Sequence, residues 1–373
     1  MLVERRLIKN IDFTVLITVI LLVLIGLAMV YSASHATGSM LDLRKQFIGV
    51  MLGFTGMIII ILVDYHAITR LKLAIYIGNI LFLLAVLMLG RDIHGAKSWF
   101  SIGPFGLQPS EFAKVAVIIT LAKYLANKES FASIWDLFMP FVYVAAPLFL
   151  ILMQPDLGTA LVFVFILFSM LYMAGAKGGH LLAIIVAGFM LFIAMVLASK
   201  VTYLPHLLKP YQIDRLTSFL HPQADVKGSG YNLIQAMIAV GSGRFAGKGF
   251  LQGTQGRLGY VPEHKTDFIF TIVGEELGFI GGFLLLALFF ALIWRGLRIA
   301  YQAKDKEGTL IATGVLAMFL FHVLENIGMN LGVMPITGIP LPFISLGSSS
   351  MTASLWAIGL LENVWIRRRK IMF

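Results

Sequence analysis

Four stretches of this apolar chain hold the residues whose types and spacing could carry chemistry, three of them ionisable and the fourth uncharged. The first is Gln108-Pro109-Ser110-Glu111-Phe112-Ala113-Lys114. Pro109 stands just before a predicted helix, Ser110 is its expected N-cap, and Glu111 and Lys114 lie three apart on one helical face. Such a pair either meets an anionic ligand or is a structural ion pair at the membrane edge, and spacing alone weighs the two equally. The second is Gln154-Pro155-Asp156-Leu157-Gly158-Thr159, where Asp156 opens a helix and reads first as an N-cap carboxylate. The third is Pro262-Glu263-His264-Lys265-Thr266-Asp267-Phe268, followed by Gly274-Glu275-Glu276-Leu277-Gly278. Thr266 or Asp267 could be a cap, yet a cap does not need Glu263, His264 and Lys265 crowded beside it. Glu275 and Glu276 lie deeper and must face protein or water. The fourth runs from Pro335 to Ser350. Its three prolines and two glycines exclude regular helix, and it reads as a re-entrant or interfacial segment buried against protein.

The elements that carry these clusters are membrane spans. Of 373 residues, 59% are hydrophobic and 13% charged, with mean hydropathy +0.89; a soluble domain is about a quarter charged. Runs long enough to cross the hydrocarbon, about 20 residues each, fall at 12–32, 47–64, 73–90, 110–127, 137–153, 157–175, 181–198, 268–294, 308–328 and 349–366. In lipid each must be helical, because every backbone polar group needs an internal partner. The expected fold is an all-α integral membrane protein of about ten transmembrane helices, one polytopic domain over residues 1–373. A long extracellular loop, about 199–267, joins the seventh and eighth spans and is expected to have structure of its own. Tyr231–Val240 reads as a short helix and Gly241–Gly259 as irregular. No internal repeat supports an inverted-repeat transporter.

The net charge of +10 sits in loops, so anionic lipid head groups explain it better than nucleic acid. Arg5, Arg6, Lys9, Arg70, Lys72, Lys123, Lys128, Lys177, Arg295, Arg298, Lys304, Lys306 and the run Arg367–Lys370 fall on one side of the predicted spans. The other side's short loops hold only Arg44, Lys45, Arg91 and Lys97. The positive-inside rule then places both termini in the cytoplasm. With no cysteine there is no disulfide or cysteine metal site, and no cleavable signal peptide is expected. Gly243-Arg244-Phe245-Ala246-Gly247-Lys248-Gly249 falls short of a phosphate loop by one residue and lacks the Ser/Thr after lysine, so no nucleotide is expected. His94, His221 and His264 lack the spacing of a helical zinc site.

The third and fourth clusters, with Gly230-Tyr231-Asn232, Gly241-Ser242-Gly243 and Gly253-Thr254-Gln255, resemble the SEDS family (shape, elongation, division and sporulation). Gln108–Lys114 and Gln154–Thr159 extend the resemblance over nearly the whole chain. Gly-Tyr-Asn and Gly-Thr-Gln look like its RodA-type elongation branch. Two positions depart from the family pattern: Ser98 where an arginine often precedes the tryptophan, and Gly347-Ser348-Ser349 where Gly-Gly-Ser is usual.

The resemblance implies a glycosyltransferase that polymerises lipid II at the outer leaflet of the bacterial cytoplasmic membrane. It makes Asp267 the essential catalytic residue and puts Glu111, Lys114 and Asp156 at the central cavity. Attack of a sugar hydroxyl on an anomeric carbon, expelling lipid pyrophosphate, inverts that carbon once. It needs one base and positive charge on the leaving group. Asp267 is the expected base. Lys114 is the first candidate cation, with Lys265 and Arg244 as others and a divalent cation (Mg or Mn) as another source. Glu111 would orient Lys114 or help hold that metal, and Glu263 and Ser345 complete the expected substrate-binding set. The implied partners are a class B penicillin-binding protein, elongation-complex membrane proteins and membrane lipids. The competing readings are a lipid II flippase, a non-catalytic scaffold that activates a transpeptidase, and a division or sporulation paralogue.

Overall fold

The computed structural model describes residues 10–35, 40–93, 96–102, 105–128, 130–131, 133–198, 215, 217–225, 228–254, 258–261 and 263–368. Arg5, Arg6, Lys9, His94, Gln255, Pro262, Lys370 and positions 199–214 of the long loop lie outside them. In chain order the helices are α1 (Phe13–His35), α2 (Leu41–Leu62), α3 (Tyr65–Arg70), α4 (Lys72–Leu89), α5 (Pro109–Ala126), α6 (Phe138–Met153) and α7 (Leu157–Met173). Then come α8 (Gly178–Ala198), α9 (Ser229–Ser242), α10 (Ile269–Tyr301), α11 (Lys306–Asn330) and α12 (Ser348–Ile366). A long helix overlaps each predicted span. Among the described residues, seven stretches are long and apolar enough to cross a membrane by length and composition.

α5, α7 and α12 fall short of that test for a physical reason. α7 is 17 residues long. α5 carries Glu111, Lys114 and Lys123, and α12 opens on three serines and carries Glu362 and Asn363. Both α5 and α12 are enclosed by other helices, so their side chains meet protein rather than lipid, and polar residues are tolerated where partners exist. The α8 window is the opposite case: only 6% of it is buried, and it is among the most apolar. α12 packs chiefly on α2, and α11 on α10, α7 and α5. The main core cluster runs from Val15 on α1 to Ile366 on α12, and a second, smaller one joins Ala236, Ala239, Val261 and Phe268.

The all-α expectation needs one correction. Residues 91–107 hold a three-stranded antiparallel sheet, β1 (Arg91–Ile93), β2 (Ala96–Ile102) and β3 (Phe105–Leu107), in the order β1-β2-β3. The aromatic and β-branched residues Trp99, Phe100 and Ile102 favour a strand, and Gly103-Pro104 after them is a turn signal. Ser110 is also corrected. It lies inside α5, whose first residue is Pro109 and whose N-cap is Gln108. Proline at the first helical position loses no hydrogen bond, and its fixed φ suits the helix start.

α10 is broken at Gly278, whose φ of 65° and ψ of −159° are not helical. The break frees two carbonyls and two N–H groups, and the loop after α9 takes all four. Lys248 N donates to Glu275 O, Gly249 N to Glu276 O, Phe279 N to Arg244 O and Ile280 N to Phe245 O. A Cβ at residue 278 would stand 2.3 Å from Gly247 N, so the close approach requires glycine. The expectation that Glu275 and Glu276 face protein holds. Glu275 accepts from Lys248 Nζ (2.6 Å) and Thr254 N (2.8 Å), and Glu276 from Ser32 Oγ (2.5 Å) and Leu251 N (3.2 Å).

Candidate functional site

Among the described residues five aspartates stand one or two positions before an α-helix, and four of them cap it with their carboxylates. Asp12 accepts from Thr14 N, Asp64 from His66 N, Asp156 from Thr159 N and Asp305 from Gly308 N. Each such cap contributes about 1 kcal/mol. Asp267 differs. The N-cap of α10 is Phe268, without a side-chain capping bond, and among the described residues the Asp267 carboxylate accepts no hydrogen bond.

What holds Asp267 is its backbone. Its carbonyl accepts from Asn326 Nδ2 (2.8 Å) and Asn330 Nδ2 (3.2 Å), both on α11. Asn326 Nδ2 also donates to Ile339 O (2.8 Å), tying the irregular segment before α12 to the same point. In that segment Gly338, with φ 79°, packs against the carboxylate: a Cβ there would lie 3.2 Å from Asp267 Oδ2. Ser345 completes the wall. Its Oγ donates to Thr266 O (2.6 Å) and accepts from Leu341 N (2.8 Å).

The long loop brings a cation. Arg215 Nη1 donates to Thr337 O (2.9 Å), which sets the guanidinium beside Gly338 and within electrostatic reach of Asp267. Burial pushes the Asp267 carboxyl up to about 7; the negative charges of Glu263 and Asp156 add to this, and Arg215 opposes it. Asp156 is likewise held above the usual carboxylate range by burial, against hydrogen bonding to Thr159 and the charge of Lys114.

Beneath Asp156 lies a buried pair. Lys114 Nζ donates to Glu111 Oε1 (2.8 Å), with the two side chains 1% and 3% exposed. His322 Nε2 lies 2.9 Å from the same ammonium. At that burial the pair needs its hydrogen bonds to offset the desolvation of both charges.

The structure thus brings Asp267, Glu263, Asp156, Lys114 and Glu111 into one electrostatic neighbourhood, with Ser345 behind Asp267. Lys265 points elsewhere and pairs with Asp42 of α2 at 2.9 Å. Arg244 sits on the loop docked at Phe279, about 16 Å along α10 from the Asp267 end at 1.5 Å per residue. Sequence reasoning missed Arg215, His322, Asn326 and Asn330. The last three recur every fourth residue on one face of an apolar span. No group of three or more His, Cys, Asp or Glu among the described residues converges on a metal position.

Comparison with known proteins identifies the family of the chain. Residues 12–370 match the cell cycle protein family of FtsW, RodA and SpoVE. Stage V sporulation protein E of Bacillus subtilis is 41% identical over 95% of this chain and 96% of its own. Peptidoglycan glycosyltransferase RodA of Treponema pallidum is 33% identical over 97% and 99%. A solved peptidoglycan synthase complex that coordinates polymerization and crosslinking contains a chain with TM-score 0.80 and 30% identity, matched over 96% of this chain and 98% of its own. The rod shape determining protein RodA of Thermus thermophilus superposes with TM-score 0.71 at 28% identity, over 96% and 98%. With a family match over nearly its full length, the chain belongs to the FtsW, RodA and SpoVE family of cell cycle proteins.

Proposed function

We propose that this protein is a peptidoglycan glycosyltransferase that polymerises lipid II on the outer face of the bacterial cytoplasmic membrane, with Asp267 as general base. The observation that carries the reading is the Asp267 carboxylate. It is fixed through its backbone, excused from capping, and raised to about 7 beside a guanidinium. A base is most effective when its pKa lies near the working pH.

In the reaction the Asp267 carboxylate takes the proton of the acceptor sugar hydroxyl as that oxygen bonds to the donor anomeric carbon. The carbon–oxygen bond to pyrophosphate breaks, and the lipid pyrophosphate leaves with the electron pair. Arg215 is the cation best placed to meet that charge. Lys114 adds a positive charge from below, where little solvent screens it. Lys265 and Arg244 are the more distant candidates. A Mg or Mn ion arriving with the pyrophosphate would find the exposed Glu263 carboxylate as the protein's share, since such ions often use one or two carboxylates plus phosphate oxygens. The steps above do not depend on it.

The chain is read as a single membrane domain of ten spans with both termini cytoplasmic, as the distribution of Lys and Arg supports. A class B penicillin-binding protein is the proposed partner, supported by the likeness to a chain of a synthase complex. The elongation branch is supported by RodA relatives and by the Gly-Tyr-Asn and Gly-Thr-Gln motifs. The 41% identity to a sporulation protein favours a second reading, in which the same chemistry serves sporulation. The test is glycan formation from labelled lipid II by the purified protein with its transpeptidase. Polymer from wild type and none from Asp267→Asn is expected. Polymer from both at equal rate would overturn the assignment of the base.

A further inference from the structure

The buried histidine of α11 has a use that the reaction scheme leaves open. His322 Nδ1 lies 3.0 Å from Pro340 O, and its Nε2 lies 2.9 Å from Lys114 Nζ. A carbonyl oxygen only accepts, so Nδ1 carries the hydrogen. The ring is then neutral, because a second hydrogen on Nε2 would face the ammonium. Nε2 is therefore an acceptor, and Lys114 donates to it.

An ammonium has three donors on a flexible stem. Glu111 alone would leave it free to turn about one contact. With Glu111 Oε1 at 2.8 Å and His322 Nε2 at 2.9 Å, two donors are fixed, and tetrahedral geometry then fixes the third. Neither neighbour takes that third N–H, and Asp156 feels the charge. The same helix face, one turn further on, holds the Asp267 carbonyl through Asn326. His322 and Asn326 are four residues apart, about 6 Å along the axis. Pro340 O and Ile339 O, which they also bind, are neighbours in the irregular segment. One turn of α11 and one dipeptide thus set the separation between the cation and the base.

We infer that His322 is a positioning residue for the polymerisation reaction: it fixes the Lys114 charge, and its remaining N–H, relative to Asp267. The inference rests on the glycosyltransferase reading above. Its sign is specific, because positioning of a charge that acts in the transition state lowers kcat and leaves KM nearly unchanged.

The test uses the two amides that mimic one ring nitrogen each. His322→Gln places its carbonyl oxygen near the Nε2 position and keeps the acceptor for Lys114. His322→Asn places its amide nitrogen near the Nδ1 position and keeps only the tie to Pro340. His322→Leu keeps neither. Full-length protein with its transpeptidase is assayed on labelled lipid II, beside wild type and Lys114→Met, with thermal unfolding of each variant as the fold control. His322→Asn and His322→Leu are expected to lose about ten- to a hundredfold in kcat, the worth of a charge-assisted hydrogen bond. His322→Gln is expected to lose only about threefold. Wild-type kcat in His322→Asn, or a fall of His322→Gln to the level of His322→Leu, overturns the inference. Wild-type kcat in Lys114→Met overturns it too, while leaving the glycosyltransferase reading intact. No polymer from wild type removes that reading and this inference with it.

Discussion

The two ends of the helix bundle handle charge in opposite ways. At the end where α12 finishes, most carboxylates are matched to donors, the buried Oε1 of Glu362 being the exception. Lys123 Nζ meets Glu307 Oε2 at 2.7 Å, and Thr69 Oγ1 donates to the other oxygen of Glu307. Asp305 accepts from Tyr65 OH at 2.8 Å and lies 3.1 Å from His66 Nε2, while Arg295 pairs with Asp12. Arg295 and Arg368 also stack on Trp365, at 4.8 and 3.3 Å from its ring centre. At the other end Asp267 accepts no hydrogen bond on its carboxylate among the described residues, and Asp156 and Glu263 add negative charge around it. A matched lattice is what holds loops together. An unmatched, half-buried carboxylate costs stability and is retained where chemistry needs it.

The comparison breaks first at Asp267. Asp267→Asn is expected to lower polymerisation by about a thousandfold or more, the scale of general-base catalysis. Its stability should move the other way. The carboxyl is raised in the fold, so its ionisation destabilises the protein as pH rises from about 4 in the unfolded chain to about 7 in the native one. The neutral amide escapes that cost. Thermal unfolding at pH 8 should show Tm unchanged or higher, and a fall in Tm together with lost activity would mean that Asp267 is structural. Arg215→Gln comes next, with kcat lower by about ten- to a hundredfold as one electrostatic contact to the leaving group is lost. It also removes the charge that opposes the rise at Asp267, so the acid limb of the pH–rate profile should move to higher pH.

Much of this contrast was legible in the residues. Spans are bounded by glycine, proline and charge, and the helices fall where the apolar runs do. Pro262–Phe268 identified itself by crowding ionisable groups at the start of a span. His322, Asn326 and Asn330 carried a readable signal as well, polar residues four apart in an apolar run, which only a helical projection of that span reveals. Arg215 carried none. It reaches Asp267 through Thr337, by a tertiary fold of the long loop that local pattern does not encode. Nor could spacing tell that Phe268, rather than Asp267, caps α10. That choice depends on two carboxamides from α11 that pull the Asp267 carbonyl away from its helix.

At the matched end the expected effects fall on stability. Glu307→Gln weakens the contact with Lys123 and removes charge from the one with Thr69, in a partly buried setting. A loss of about 1–3 kcal/mol follows for a charge-assisted bond of that kind. Thermal unfolding should report it as a lower Tm, with kcat per folded molecule near wild type. A drop in kcat at full stability would mean that this end takes part in the reaction, and the division between the ends would fail.

The smallest effect is expected at Glu263, and it separates charge from contact. Glu263 takes φ 55° and accepts from Thr266 Oγ1 at 3.1 Å, one residue before Asp267. It is exposed, so its pull on Asp267 crosses solvent and is screened by salt. Glu263→Gln keeps the hydrogen bond and the shape but deletes the charge. Since Glu263 raises Asp267, the variant should move the acid limb to lower pH, the reverse of Arg215→Gln, by a fraction of a unit that shrinks at high salt. The maximal rate should hold. Opposite displacements from Glu263→Gln and Arg215→Gln would place both groups around the residue that titrates in catalysis. A limb that ignores both charges would belong to some other group, and Asp267 would lose its role as the base.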